Sequence, residues 1–128
     1  MIRIKLTSVM VDDQQKALDF YTNVLGFVKK NDIPMGEARW LTVVTADGKG
    51  DFELVLEPAG FPPARTYKKA LFEAGIPATA FEADDIEAEY RRLSGLGVHF
   101  QTPPTQAGPV RIAVFEDACG NLIQLFQV

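Results

Sequence analysis

The sequence predicts an α+β fold built from two βαβββ modules, and three observations predict it. The first is an order of periodicities, strand–helix–three strands, that occurs twice along the 128 residues. The second is a repeat of residues: Val11-Asp12-Asp13 opens a helical pattern that ends at Gly26, and Ala83-Asp84-Asp85 opens another that ends at Gly97. The third is that each half closes with a turn into an apolar strand, "DFELVLEP" and "NLIQLFQV". One half alone is too small to cover its own sheet face, so an internal repeat of this kind points to a single domain over residues 1–128.

Each element follows from local chemistry. Residues 2–11 alternate and are rich in Ile, Val and Thr, which predicts a strand. In "DDQQKALDFYTNVLGF", Ala17, Leu18, Tyr21, Val24 and Leu25 recur on one face of a 3.6-residue period. Asp12 or Asp13 caps that helix and Gly26 ends it. Strands follow near 26–31, 38–45 and 51–57, separated by the turn-forming Pro34-Met35-Gly36 and Asp47-Gly48-Lys49-Gly50. The first module thus spans about 1–57. "EPAGFPPARTY" carries three prolines and reads as a linker over 58–65. The second module, 66–128, opens with a short helix at 66–74 ended by Gly75. It continues with a strand at 77–83 and a helix bearing Ile86, Tyr90 and Leu93 on one face. Strands at 98–101, 109–116 and 121–127 finish it.

Composition narrows the function. Hydrophobic residues make up 47% and charged residues 23%, the profile of an ordinary globular protein, and the net charge is −4. An acidic chain argues against nucleic acid, which rewards a basic patch, and against an anionic membrane surface. No apolar run approaches the roughly 18 residues that span a bilayer. Arg3 and Lys5 interrupt what would be the apolar segment of a signal peptide. The single cysteine, Cys119, cannot form an intrachain disulfide, which suits a reducing cytoplasm. A lone Cys in a turn is ordinarily inert, because a nucleophile needs a lowered pKa.

Alternate residues of a strand share a face. Phe52, Leu54 and Leu56 are assigned to the side packed on the helices. The opposite side of the strands collects Leu6, Ser8, Met10, Glu53, Val55, Ala78, Glu82, Gln124 and Phe126, with Trp40 and Thr42 from strand 38–45. Such a Glu or Gln is either solvated or part of a site, and Trp40 is either core or the wall of a pocket. Arg39 and Arg111 are candidates for an anionic ligand or plain surface charges. His99, the one histidine, is read as a surface residue.

The segments "VMVDDQQKALDFYTNVLGF", "FELVLEP", "ADDIEAEYRRLSGLGV" and "FEDACGNLIQLFQV" together resemble the vicinal oxygen chelate superfamily, which includes glyoxalase I, extradiol dioxygenases and the fosfomycin- and bleomycin-resistance proteins. The resemblance covers nearly the whole chain. It implies a cupped mixed sheet with helices on the convex face, and a homodimer that frames the sites. In metal-dependent members four positions on the cup supply His and Glu ligands. Carried over, these are Leu6, Glu53, Ala78 and Gln124, the last standing where a carboxylate ligand would be.

Chemistry then decides between activities. A divalent ion in such a site wants imidazole and carboxylate ligands, commonly three or more. Leu6 and Ala78 offer no ligand atom and Gln124 offers only a neutral amide. Glyoxalase, dioxygenase and metal-dependent fosfomycin chemistry each need the ion, so they are disfavoured, and no cofactor is expected. The expectation is a cytoplasmic, homodimeric, metal-independent protein binding a small organic molecule. It has no nucleic-acid or membrane partner and is more a binder than an enzyme. Ser8, Met10, Trp40, Thr42, Glu53, Gln124 and Phe126 would line the site, with Glu57 or Arg111 at its rim. Two alternatives remain. One is a glyoxalase- or isomerase-like enzyme, in which a partly buried Glu53 without a cation would have a raised pKa and serve as a general acid or base, or else act as a weak metal ligand. Or bulky Leu6, Met10 and Phe126 fill the cup, leaving a structural or regulatory dimer.

Overall fold

The computed structural model describes residues 1–48 and 52–128. Within it the chain forms two compact units, Met1–Arg65 and Thr66–Val128.

The first unit begins with β1 (Leu6–Val11). Helix α1 (Gln14–Asp19) follows, capped by Asp13, whose carboxylate accepts from the Lys16 amide. The helix widens into a π turn over Phe20–Val24, where the Leu25 amide reaches back to the Phe20 carbonyl. Thr22 donates its hydroxyl to the Leu18 carbonyl at 2.6 Å, which competes with the ordinary ladder at that point. Gly26, at φ 91°, then supplies the left-handed residue that ends the helix. Strands β2 (Val28–Met35), β3 (Ala38–Val44) and β4 (Glu53–Pro58) complete a four-stranded sheet in the order β1-β4-β3-β2. β1 and β4 are parallel and the other pairs antiparallel.

Helix α2 (Pro62–Glu73) leads into the second unit, which repeats the plan. It consists of β5 (Thr79–Glu82), α3 (Ile86–Gly95), β6 (Phe100–Ala107), β7 (Val110–Glu116) and β8 (Leu122–Gln127), with sheet order β5-β8-β7-β6. Asp85 caps α3 through the Ala88 amide, as Asp13 caps α1.

The helix-covered faces carry the cores. In the first unit Val9, Val11, Ala17, Tyr21, Leu41, Val43 and Leu56 are almost fully buried. In the second, Ile86, Leu93, Ala113, Phe115 and Ile123 are. Tyr90, Phe100 and Phe115 pack there in series, the first pair edge-to-face and the second tilted, with ring centroids 4.7 and 5.5 Å apart.

The structure departs from the sequence reading at several boundaries. β1 starts at Leu6 rather than residue 2. β2 continues through Pro34 to Met35, and β6 runs through Pro103-Pro104 to Ala107 instead of stopping at 101. Both are edge strands, where a missing N–H breaks no ladder bond. The linker expected over 58–65 is helical from Pro62, because proline is tolerated in a helix's first turn. Phe52, assigned to the core, is 56% exposed just ahead of β4. Of the predicted Asp47-Gly48-Lys49-Gly50 turn, Lys49 and Gly50 lie outside the described residues.

Candidate functional site: the open faces of the two sheets

Strand register places the candidates in rows across the face of each sheet opposite its helix. In the first sheet Leu6 lies opposite Glu53, and Ser8 opposite Val55, which in turn faces Thr42 and then Asn31. The next row holds Met10 opposite Glu57, and Trp40 opposite Ile33. Met35 and Ala38 end the face at the hairpin. The assignments of Leu6, Ser8, Met10, Trp40, Thr42, Glu53 and Val55 to one face agree with this register.

A hydrogen-bond network organises one end of that face. Glu53 Oε1 accepts from the Thr42 hydroxyl and from Asn31 Nδ2, both at 2.9 Å. Thr42, fully buried, also accepts from the Asn31 amide and side chain at 3.2 Å. Lys30 Nζ stands 3.4 Å from Glu53 Oε2. The Thr42 bond, with Lys30 and Asn31 assisting, holds the Glu53 carboxyl below its ordinary value of 4.5, against the opposing effect of burial. This corrects the expectation of a raised Glu53 pKa, which assumed no cation nearby. Glu53 is an ionised, well-bonded carboxylate at neutral pH and a poor proton donor.

The second sheet places Ala80, Gln124 and Val114 in one row, followed by Glu82, Phe126 and Ile112. Gln124 and Phe126 do share the open face. The register differs from the expected repeat by one row, however. Gln124 faces Ala80, while the Ala78 amide donates to the Leu122 carbonyl. Thr42 and Val114 are 72 residues apart, so the residue matching Gln124 is Val55, not Glu53. The matched spacing of 47 and 46 residues in sequence therefore hid a two-residue offset between β4 and β8.

The two arginines lie on the other side. Arg111 shares the helix-covered face of β7 with buried Ala113 and Phe115 and pairs with Glu87 of α3, so it does not stand at the rim of the open face. It also donates to the Pro104 carbonyl. Arg39 clamps Asp32 with two bonds of 2.9 and 2.7 Å and donates to Gln15. That guanidinium pulls Asp32 down to about 2. Gln14 ties α1 to the sheet, donating to the Arg39 and Leu56 carbonyls and accepting from the Arg39 amide.

Cys119 and His99 take no part in either open face. Cys119 is buried in the β7–β8 turn, where its amide donates to Asp117 and its carbonyl accepts from buried Lys68. His99 is exposed, and its carbonyl accepts from the Glu116 amide.

A divalent ion does not fit the four positions that correspond to the ligands of metal-dependent members. Leu6 and Ala78 have no donor atom, and Glu53 Oε1 already accepts two bonds. Among the described residues no three His, Cys, Asp or Glu side chains gather into a metal-binding group. The sequence reading missed Lys30, Asn31, Ile33 and Met35. It ended β2 at residue 31. The alternation Asn31, Ile33, Met35 was the available signal.

Residues 3–125 match the Glyoxalase/Bleomycin resistance protein/Dioxygenase superfamily. The chain belongs to this superfamily. A protein of Bacillus subtilis, YurT, described as uncharacterized, is 52% identical over 98% of this chain and 99% of its own. Among solved structures, UcmS2 superposes with a TM-score of 0.84 at 31% identity, covering 98% of both chains. TnmS3, described as an antibiotic binding protein from Streptomyces sp. CB03234, superposes with a TM-score of 0.79 at 33% identity, over 99% of this chain and 96% of its own. The superfamily's fold thus accounts for both βαβββ units and their mixed sheets.

Proposed function

We propose that this chain is a metal-independent binding protein for a small organic molecule, working as a homodimer in the cytoplasm. The observation that carries the proposal is the composition of the first open face. Trp40, Ile33 and Met35 stay accessible beside a single charged network, with Ile33 52% and Met35 61% exposed. An apolar lining with a few placed polar groups suits a drug-sized ligand. The likeness to TnmS3, an antibiotic binding protein, supports the same reading. Three features favour binding over metal chemistry: Leu6 and Ala78 without donors, and Glu53 engaged by Thr42 and Asn31. The lowered Glu53 pKa weighs against the alternative in which it acts as a general acid. The exposed apolar groups weigh against a filled face.

Trp40 is the single tryptophan, so its fluorescence reports on this face. The test is a titration of the protein with bleomycin and a library of aromatic natural products. Native mass spectrometry with added Ni²⁺, Zn²⁺, Mn²⁺ or Fe²⁺ accompanies it. The expected result is saturable quenching by an organic ligand, the mass of a dimer, and no retained metal. A tightly held metal ion, with no organic ligand, would overturn the proposal.

A further inference from the structure

The two oxygens of Glu53 are not equivalent. Oε1 is held by Thr42 and Asn31 at 2.9 Å, so the carboxylate is fixed in place. Among the described residues, Oε2 meets only Lys30, at 3.4 Å, longer than a good charge-assisted hydrogen bond. The Lys30 side chain is 55% exposed and the Glu53 side chain 18%. An exposed lysine at that distance contributes little, and its flexible stem swings away readily. Glu53 is thus a positioned anion whose outward oxygen has an exchangeable partner. The register sets it two rows from Trp40 and Ile33, roughly 13 Å along the strands at about 3.3 Å per residue, with Met35 one row further on.

Resting on the binding function above, we infer that this face selects a ligand class: an aromatic molecule bearing a protonated amine or hydroxyl at one end. The ring lies over Trp40 and Ile33. The donor replaces Lys30 on Glu53 Oε2. A carboxylate in the same place meets Glu53 as a like charge and is rejected.

The test uses three matched probes, 2-naphthylethylamine, 2-naphthaleneethanol and 2-naphthylacetic acid, titrated calorimetrically into the intact protein. The expected order is amine, then alcohol, then acid. The amine should bind at least tenfold more tightly than the acid, and this preference should shrink as salt is raised. Glu53→Gln should reduce it below threefold, while Lys30→Ala should tighten amine binding. The wild-type order and its salt dependence test the inference even where Glu53→Gln disturbs folding. Acid bound as tightly as amine would overturn the inference and leave the binding function standing. Silence of all three probes, with Trp40 still responding to the natural-product library, would do the same. Silence of probes and library together would overturn both.

Discussion

The two units share a plan and differ in where they keep their buried polar bonds. The first puts them on its open face, where Glu53, Thr42 and Asn31 bond one another across three strands. The matching row of the second holds Val114, Gln124 and Ala80, and pairs Val114 with Thr102. The second unit instead buries a carboxylate in a turn. Asp117 accepts from the Cys119 and Asn121 amides and from Asn121 Nδ2, all at 2.8–2.9 Å. Those bonds brace a turn in which Ala118 adopts a left-handed φ of 61°. One fold therefore tolerates its anchoring anion on a sheet face or in a hairpin. The first location leaves Glu53 Oε2 with a partner no closer than 3.4 Å.

The sharpest way to break this contrast is Asp117→Ala. Three donors lose their acceptor in a buried turn, and at about 1–3 kcal/mol for each unsatisfied group the loss should reach about 3 kcal/mol. Urea unfolding followed by circular dichroism measures it. Binding on the first open face should survive wherever the variant remains folded.

A smaller effect separates the two faces directly. Thr42→Val removes a hydroxyl that joins Asn31 to Glu53, and should cost about 1–2 kcal/mol as the buried carboxylate loses a donor. It should also let the Glu53 pKa rise, readable by carbon NMR of the carboxyl group. Thr102→Val, in the corresponding row of the second sheet, should change stability by less than about 0.5 kcal/mol. Equal costs at the two sites would remove the distinction between the faces.

The smallest effect is a pH dependence carried by two carboxylates of the first unit. Asp32 and Glu53 both have folded pKa values below their ordinary ones, Asp32 near 2 through Arg39 and Glu53 below 4.5 through Thr42. A depressed carboxyl stabilises the fold fully above its unfolded value. It loses that contribution as pH falls through the folded value. Urea midpoints should therefore hold above pH 4.5 and decline from there toward about 2. Asp32→Asn should flatten the lower part of the decline, between 3.8 and about 2.

Much of this was legible beforehand because it rests on local rules. Asp13 and Asp85 announce helix starts by their capping chemistry, and Gly26 and Gly97 announce the ends. Alternation sorted Val9, Val11, Leu54 and Leu56 from Ser8, Met10 and Glu53. What was illegible depends on neighbours. Pro34 and Pro103 look like strand breakers until the strands prove to be edges. Arg111 looks available until α3 brings Glu87 to it. Glu53 looks like a candidate acid until Lys30, Asn31 and Thr42 surround it.

By itself, then, the sequence determined the two βαβββ units, the capped helices and the side of each strand that faces its helix. Those follow from periodicity and capping, which involve residues a few positions apart. Tertiary structure decided the register of β4 and β8, and with it that Gln124 matches Val55 rather than Glu53. It also decided the charge state of Glu53. Both depend on pairing across strands, where a slip of two residues preserves every facing pattern and changes every partner.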